Sequence, residues 1–96
     1  MQPPLFTVGT FQTPNGSKFI AQLCKHFGHK IETSYDDVSG KISFGFGPCT
    51  LKATDETLEI TVSAPDQDGL KSGQKIIDSH LKRFAFREEF EAMNWQ

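Results

Sequence analysis

The chain has 96 residues, with ten Lys or Arg, twelve Asp or Glu and three His, for a formal net charge of -2. That balance gives no long-range attraction for phosphate backbones or anionic lipid, because non-specific nucleic-acid affinity scales with the phosphates neutralised. The length allows one hydrophobic core and no second lobe.

Hydrophobic residues make up 36% of the chain, and nine Phe against one Trp and one Tyr mean that Phe carries most aromatic burial. The opening Met1-Gln2-Pro3-Pro4-Leu5 lacks the basic start and apolar run of a secretion signal. No apolar stretch approaches the length that spans a bilayer, so the expected compartment is the cytoplasm, without a membrane partner. Cys24 and Cys49 are too few for a disulfide scaffold and are expected as buried thiols.

Leu5 to Gln12 alternates only in part, with Phe6, Val8 and Phe11 apolar and Gly9 interrupting, which predicts a short edge strand over 5–12. Pro14-Asn15-Gly16-Ser17 is turn chemistry with Asn or Ser available as N-cap. Phe19, Ile20, Leu23, Cys24 and Phe27 then form one stripe at helical period, predicting a helix over 16–28 closed by Gly28. Lys25, His26, His29 and Lys30 complement the negative end of that helix.

Four strands are expected over 30–63. Ile31, Thr33 and Tyr35 alternate, Asp36 to Gly40 turns, and Ile42, Phe44 and Phe46 alternate in turn. Gly47-Pro48 is read as the next reversal, followed by Cys49, Leu51 and Ala53, a turn at Thr54-Asp55-Glu56, and Leu58, Ile60 and Val62. Pro65-Asp66 opens a second helix, over 66–84, with Leu70, Ile77, Leu81 and Phe84 on one face and Ile76 and His80 beside it. The remainder, 85–96, reads as a tail with one more helical turn and a loose Asn94-Trp95-Gln96 end.

The order β-α-β-β-β-β-α within 1–96 predicts a single α+β domain: an antiparallel sheet of four to five strands with two helices on one face, similar to the TATA-binding-protein-like fold. The sheet's other face would then show Glu32, Ser34, Lys41, Ser43, Gly45, Thr50, Lys52, Glu59, Thr61 and Ser63. Its charges cancel and it offers no aromatic platform in a positive groove, which excludes single-stranded nucleic acid as partner. A plain solvated sheet is the simpler reading, with a face-to-face homodimer as the alternative.

Cys24, His26 and His29 look like clustered metal ligands. Two helical residues are about 200° apart, however, so Cys24 and His26 leave opposite flanks of the apolar stripe and do not share an ion. His26 and His29 are the pair left for a metal, though Gly28 unwinds the turn between them; compensation of the helix dipole is the competing explanation. His80 is expected as a hydrogen-bonded structural histidine. Arg83 and Arg87 offer bidentate sites for carboxylate or phosphate, but Glu88, Glu89 and Glu91 stand ready to pair with them and tie the tail to the domain. No Gly-rich phosphate loop, nucleophile elbow or metal-binding His-Glu helix is present in the sequence, so no catalytic residue is assigned.

Four stretches carry a family resemblance: Gln22-Leu-Cys-Lys-His-Phe-Gly-His-Lys30, Phe44-Gly-Phe-Gly-Pro-Cys49, Ala64-Pro-Asp66 and Ser79-His-Leu-Lys-Arg-Phe-Ala-Phe-Arg-Glu-Glu89. From Gly9 to Phe90 the chain resembles the bacterial domain of unknown function 2218. It departs at Lys18-Phe19, where Arg-Tyr is the usual pair. The resemblance implies an accessory part in iron handling beside a flavin-dependent siderophore reductase. The sequence identifies no cofactor, and none is the simpler expectation. Aldolase names attached to similar proteins imply a barrel several times this length. Three functions follow as expectations: a ligand-binding accessory domain using Lys25, His26, His29, Arg83 and Arg87; a small metal or haem protein using His26 and His29, with His80 or the cysteines as further ligands; and a structural homo-oligomer.

Overall fold

A computed structural model describes residues 4–96; Met1 to Pro3, the start of the segment read as lacking a secretion signal, lie outside the described residues. Strands β1 (Leu5–Gln12), β2 (Thr33–Tyr35), β3 (Ser39–Phe44), β4 (Gly47–Ala53), β5 (Thr57–Ala64) and β6 (Asn94–Trp95) form one six-stranded sheet in the order β2-β3-β4-β5-β1-β6. Every pairing is antiparallel. Helices α1 (Gly16–Phe27) and α2 (Gln67–Phe84) lie on one face of it, α1 over β2 to β5 and α2 over β5 and β1, and they touch each other. The fold is α+β as expected, with one strand more than the sequence suggests.

The period-two pattern decides which residues face the helices. Directly paired residues share a face, so Ile42, Cys49 and Val62 lie in one row across β3, β4 and β5, and Leu51, Ile60 and Gly9 lie in another. Phe19, Ile20, Leu23 and Cys24 of α1 and Leu70, Ile77 and Leu81 of α2 close over these rows, all buried. Truncating a member such as Leu81 to Ala costs about 2–5 kcal/mol through lost transfer energy and the cavity left behind. Asp66 caps α2 by accepting from the Gly69 amide at 2.8 Å.

The strand β1 is not an edge: it sits between β5 and β6. Gly9, read as an interruption, is a socket, since a Cβ there would lie 2.7 Å from Trp95 Cε3. Nor is the C-terminus loose. Gly9 pairs with Trp95 and Thr10 with Asn94, Gln96 exchanges backbone bonds with Val8 at 2.9 and 3.1 Å, and Asp78 of α2 accepts from Met93 N at 3.0 Å and Trp95 Nε1 at 2.9 Å. A two-residue strand holds because α2 supplies the anchor that its length does not.

Three smaller expectations also change. The β3–β4 reversal falls at Gly45-Phe46; Gly47, at φ 153°, opens β4 where any Cβ would collide with the Ser63 carbonyl. Asn15 takes the N-cap position of α1 without bonding the helix through its side chain, which donates instead to Glu88 Oε2 at 3.1 Å. The predicted Arg–Glu network is replaced: Thr13 Oγ1 donates to Glu88 Oε1 at 2.5 Å, and the ion pair among the described residues is Lys82–Glu91 at 3.5 Å, exposed and worth about 1 kcal/mol or less.

The open face of the sheet differs from expectation at one end. Phe6, paired with Ser63, is 62% exposed there, beside Val8, with Pro48 on the far side of Ser63. Ser63 itself is buried under these neighbours. A hollow of about 340 Å³ lined by Pro4, Phe6, Phe46, Pro48, Ser63 and Pro65 occupies that corner.

Candidate functional site

The last turns of α1 and α2 lie side by side, and their flanking residues meet. His26 stands three residues beyond Leu23, on the flank of α1 that faces α2. His80 stands three beyond Ile77 and four before Phe84, on one side of α2. The His26 and His80 rings lie 4.7 Å apart between centroids, tilted by 58°. Phe84 is 6.0 Å from His26, and Phe27 is 4.8 Å from His80. The contacts continue through Phe27 to Phe44 at 5.0 Å, edge to face, and from Phe44 to Phe46 at 5.1 Å, stacked. Six rings thus run as a stripe, from exposed His26 to buried Phe44 and half-buried Phe46, between the C-terminal ends of both helices and the β3–β4 turn.

Local packing explains its far end. Gly69 and Gly73 share one face of α2, and a Cβ on Gly69 would lie 2.6 Å from Ala64 Cβ. A Cβ on Gly73 would collide with Val62 Cγ1 and lie 3.1 Å from Phe46 Cε1. The absent side chains let α2 settle onto β5 and leave room for Phe46.

His80 Nδ1 lies 2.7 Å from the Ile76 carbonyl, one turn back. A carbonyl only accepts, so Nδ1 carries the hydrogen and the lone pair of the neutral ring sits on Nε2. His26 has its pKa held below 6.5, first by desolvation against the neighbouring rings and then by the charges of His80, Arg83 and His29.

The five residues singled out from sequence therefore divide. His29 and Arg83 both act electrostatically on His26 at the stripe. Lys25 is exposed on the adjoining turn of α1. Arg87 lies beyond α2 in the 3-10 turn Phe86–Glu88, its guanidinium 5.7 Å from the Phe86 ring, and is not among the charges felt by His26. The imidazole in ring contact with His26 is His80, not His29. Among the described residues no three His, Cys, Asp or Glu side chains converge to hold a metal ion. A cleft of about 460 Å³ opens beside the stripe, lined by His26, Phe27, His29, Lys30 and Ile31.

Sequence reasoning read His80 as a structural histidine, with a metal-ligand role as the alternative, and missed the ring cluster that four Phe complete. The spacings His26-Phe27, Phe44-Gly45-Phe46 and His80-x-x-x-Phe84 are the only local signal, and nothing in them says that the three segments adjoin. The two cysteines are core thiols: burial raises the pKa of Cys24, and burial together with Cys24 takes Cys49 to about 12.

No helix among the described residues is long and apolar enough to cross a membrane. No curated protein sequence matches the chain. A solved structure, the NMR structure of PA4090 from Pseudomonas aeruginosa, is similar to it at a TM-score of 0.79 and 32% identity, over 95% of this chain and 94% of that one. The family profile described as "Uncharacterized protein conserved in bacteria (DUF2218)" matches residues 8–96. Its span takes in both helices, β2 to β6, most of β1 and the ring stripe, and the chain belongs to this bacterial DUF2218 family.

Proposed function

We propose that this domain is a non-enzymatic accessory module that binds a planar, anionic aromatic ligand along the ring stripe, in the service of iron and siderophore use. The observation that carries this reading is the contact of His26 with His80, flanked by Phe27 and Phe84, beside the Arg83 guanidinium. Ring faces favour a flat aromatic partner, and Arg83, His29 and Lys25 favour a negative one. A catecholate group of the kind that chelates ferric iron has both properties. A flavin-dependent siderophore reductase is the protein partner that such a module would serve.

The test is an NMR titration of the untagged protein with 2,3-dihydroxybenzoate, with uncharged catechol and aliphatic succinate as comparisons. Saturable shifts centred on Phe27, His80 and Phe84, weaker with catechol and absent with succinate, are the expected result. Shifts confined to the open sheet face, or none at millimolar concentration, would refute the reading.

A second reading has its own support. Phe6 is exposed beside Val8 and near Pro48 on a sheet face otherwise rich in Ser and Thr, which suits contact with a second copy of the chain. Light scattering above the 10.7 kDa monomer mass, falling to it in Phe6→Ser, is the expected outcome. A concentration-independent monomer rules this assembly out.

A further inference from the structure

Resting on the ligand-binding reading, we propose that His26 and His80 together bind the metal centre of an anionic chelate, their ring nitrogens filling two of its open coordination positions. The spacing fits. With a metal–nitrogen bond of about 2.0–2.1 Å and a ring centroid about 1.1 Å behind the nitrogen, two imidazoles on one ion have centroids about 4.5 Å apart at a right angle and about 5 Å apart at the tetrahedral angle. The observed 4.7 Å lies between these values.

The tautomer fits as well. The Nδ1–H of His80 is spent on the Ile76 carbonyl at 2.7 Å, which is the outer-shell bond that orients a metal-binding imidazole and leaves Nε2 bare. His26 is exposed, so its ring is free to turn toward the same point.

The surroundings select the form in which the metal arrives. Two imidazoles without a third protein donor hold a bare divalent ion weakly, and the neighbouring Arg83 guanidinium repels it further. A metal already wrapped in a carboxylate or catecholate chelator brings negative charge to that cation, and its remaining positions are vacant or held by water. Binding then exchanges two metal-bound waters for two neutral imidazole nitrogens, with no change of oxidation state and no proton released above the histidine pKa values. The stripe formed by Phe27 and Phe84 adds contact for any flat part of the chelator.

The probe is Cu(II)–nitrilotriacetate, a chelate of net negative charge with open positions, titrated into untagged protein and followed by calorimetry and by the copper EPR signal. One-to-one binding with added nitrogen coupling is expected, weakened at least tenfold in His26→Gln and in His80→Gln and unchanged in Lys52→Ala on the opposite sheet face. His26→Gln alters an exposed side chain, so its fold is not at stake, and the amide spectrum checks that His80→Gln remains native. Equal affinity in wild type and His80→Gln, or copper bound with a single nitrogen, overturns the proposal. If 2,3-dihydroxybenzoate binds at the stripe while the copper chelate does not, the metal assignment falls and the ligand-binding reading stands. If neither binds, both fall.

Discussion

Asp78 on α2 accepts hydrogen bonds from both Met93 N and Trp95 Nε1, so a single carboxylate fastens the last strand to the second helix. Asp78→Ala leaves the Trp95 ring and a backbone amide without their acceptor. Bonds to charged groups contribute about 1.5–3 kcal/mol each when they are broken one-sidedly, so a loss of about 2–3 kcal/mol is expected for this part-buried pair. Trp95 is the one tryptophan in the chain, so its fluorescence should shift to the red before global unfolding. An unchanged emission maximum in the folded variant would show that the C-terminus is held by strand pairing alone.

Gly73 and Gly45 should respond oppositely to the same change. In α2, Gly73→Ala gains about 1 kcal/mol of helix propensity but drives a methyl into Val62 and Phe46, which costs more. A net loss of about 1–3 kcal/mol is expected from chemical denaturation. Gly45, in the β3–β4 turn, has nothing within 4 Å of the added methyl, so Gly45→Ala should be neutral or stabilise by about 0.5 kcal/mol. Similar effects from the two variants would contradict the close seating of α2 on β5.

Stability should fall as the solution is acidified through the histidine range. The pKa of His26 is lower in the fold than its value of 6.5 in an unfolded chain, by desolvation first and then by His80, Arg83 and His29. The unfolded state therefore binds more protons in the interval below 6.5, and the contribution of His26 is retained above that pH and lost as pH drops toward the folded pKa. Because the ring is exposed, the effect is small. His80→Gln removes the imidazole whose charge, once protonated, opposes that of His26, and should raise the His26 pKa toward 6.5 in an NMR titration. A His26 pKa at or above 6.5 in the native protein would show that the rings do not crowd it.

Neither cysteine should react while the fold is intact. Cys24 and Cys49 are both buried, and the Cys49 thiol, at about 12, holds almost no thiolate near neutral pH. Iodoacetamide labelling read by mass spectrometry should track global unfolding in denaturant, with both sites appearing together. Labelling of either under native conditions would place it in a locally opening segment.

Much of the fold was legible because its signals are local. The stripe from Phe19 to Phe27, the alternation from Ile42 to Val62 and the Asp66 cap each specify an element from residues within a few positions of one another. Phe6 and Val8 mark a case where local pattern misled. They look like core residues in isolation, yet the register that sets Leu5 against Ala64 and Thr7 against Val62 turns them to the open face. Gly9 misled in the same way: in the sequence it interrupts a strand, and only the Trp95 ring lying over it shows why it is there.

The site was legible only in its parts. The sequence by itself placed His26 and His29 at the end of one helix and His80 beside the apolar face of another, because a helix fixes the direction of its side chains by spacing alone. Whether those flanks meet depends on how two helices settle on one sheet. Gly69 and Gly73 seating α2 against β5, and Phe19 to Phe27 seating α1 over β3 and β4, make that decision in space. Tertiary packing, which couples residues far apart in the chain through contact and excluded volume, thus chose His80 over His29 as the ring partner of His26.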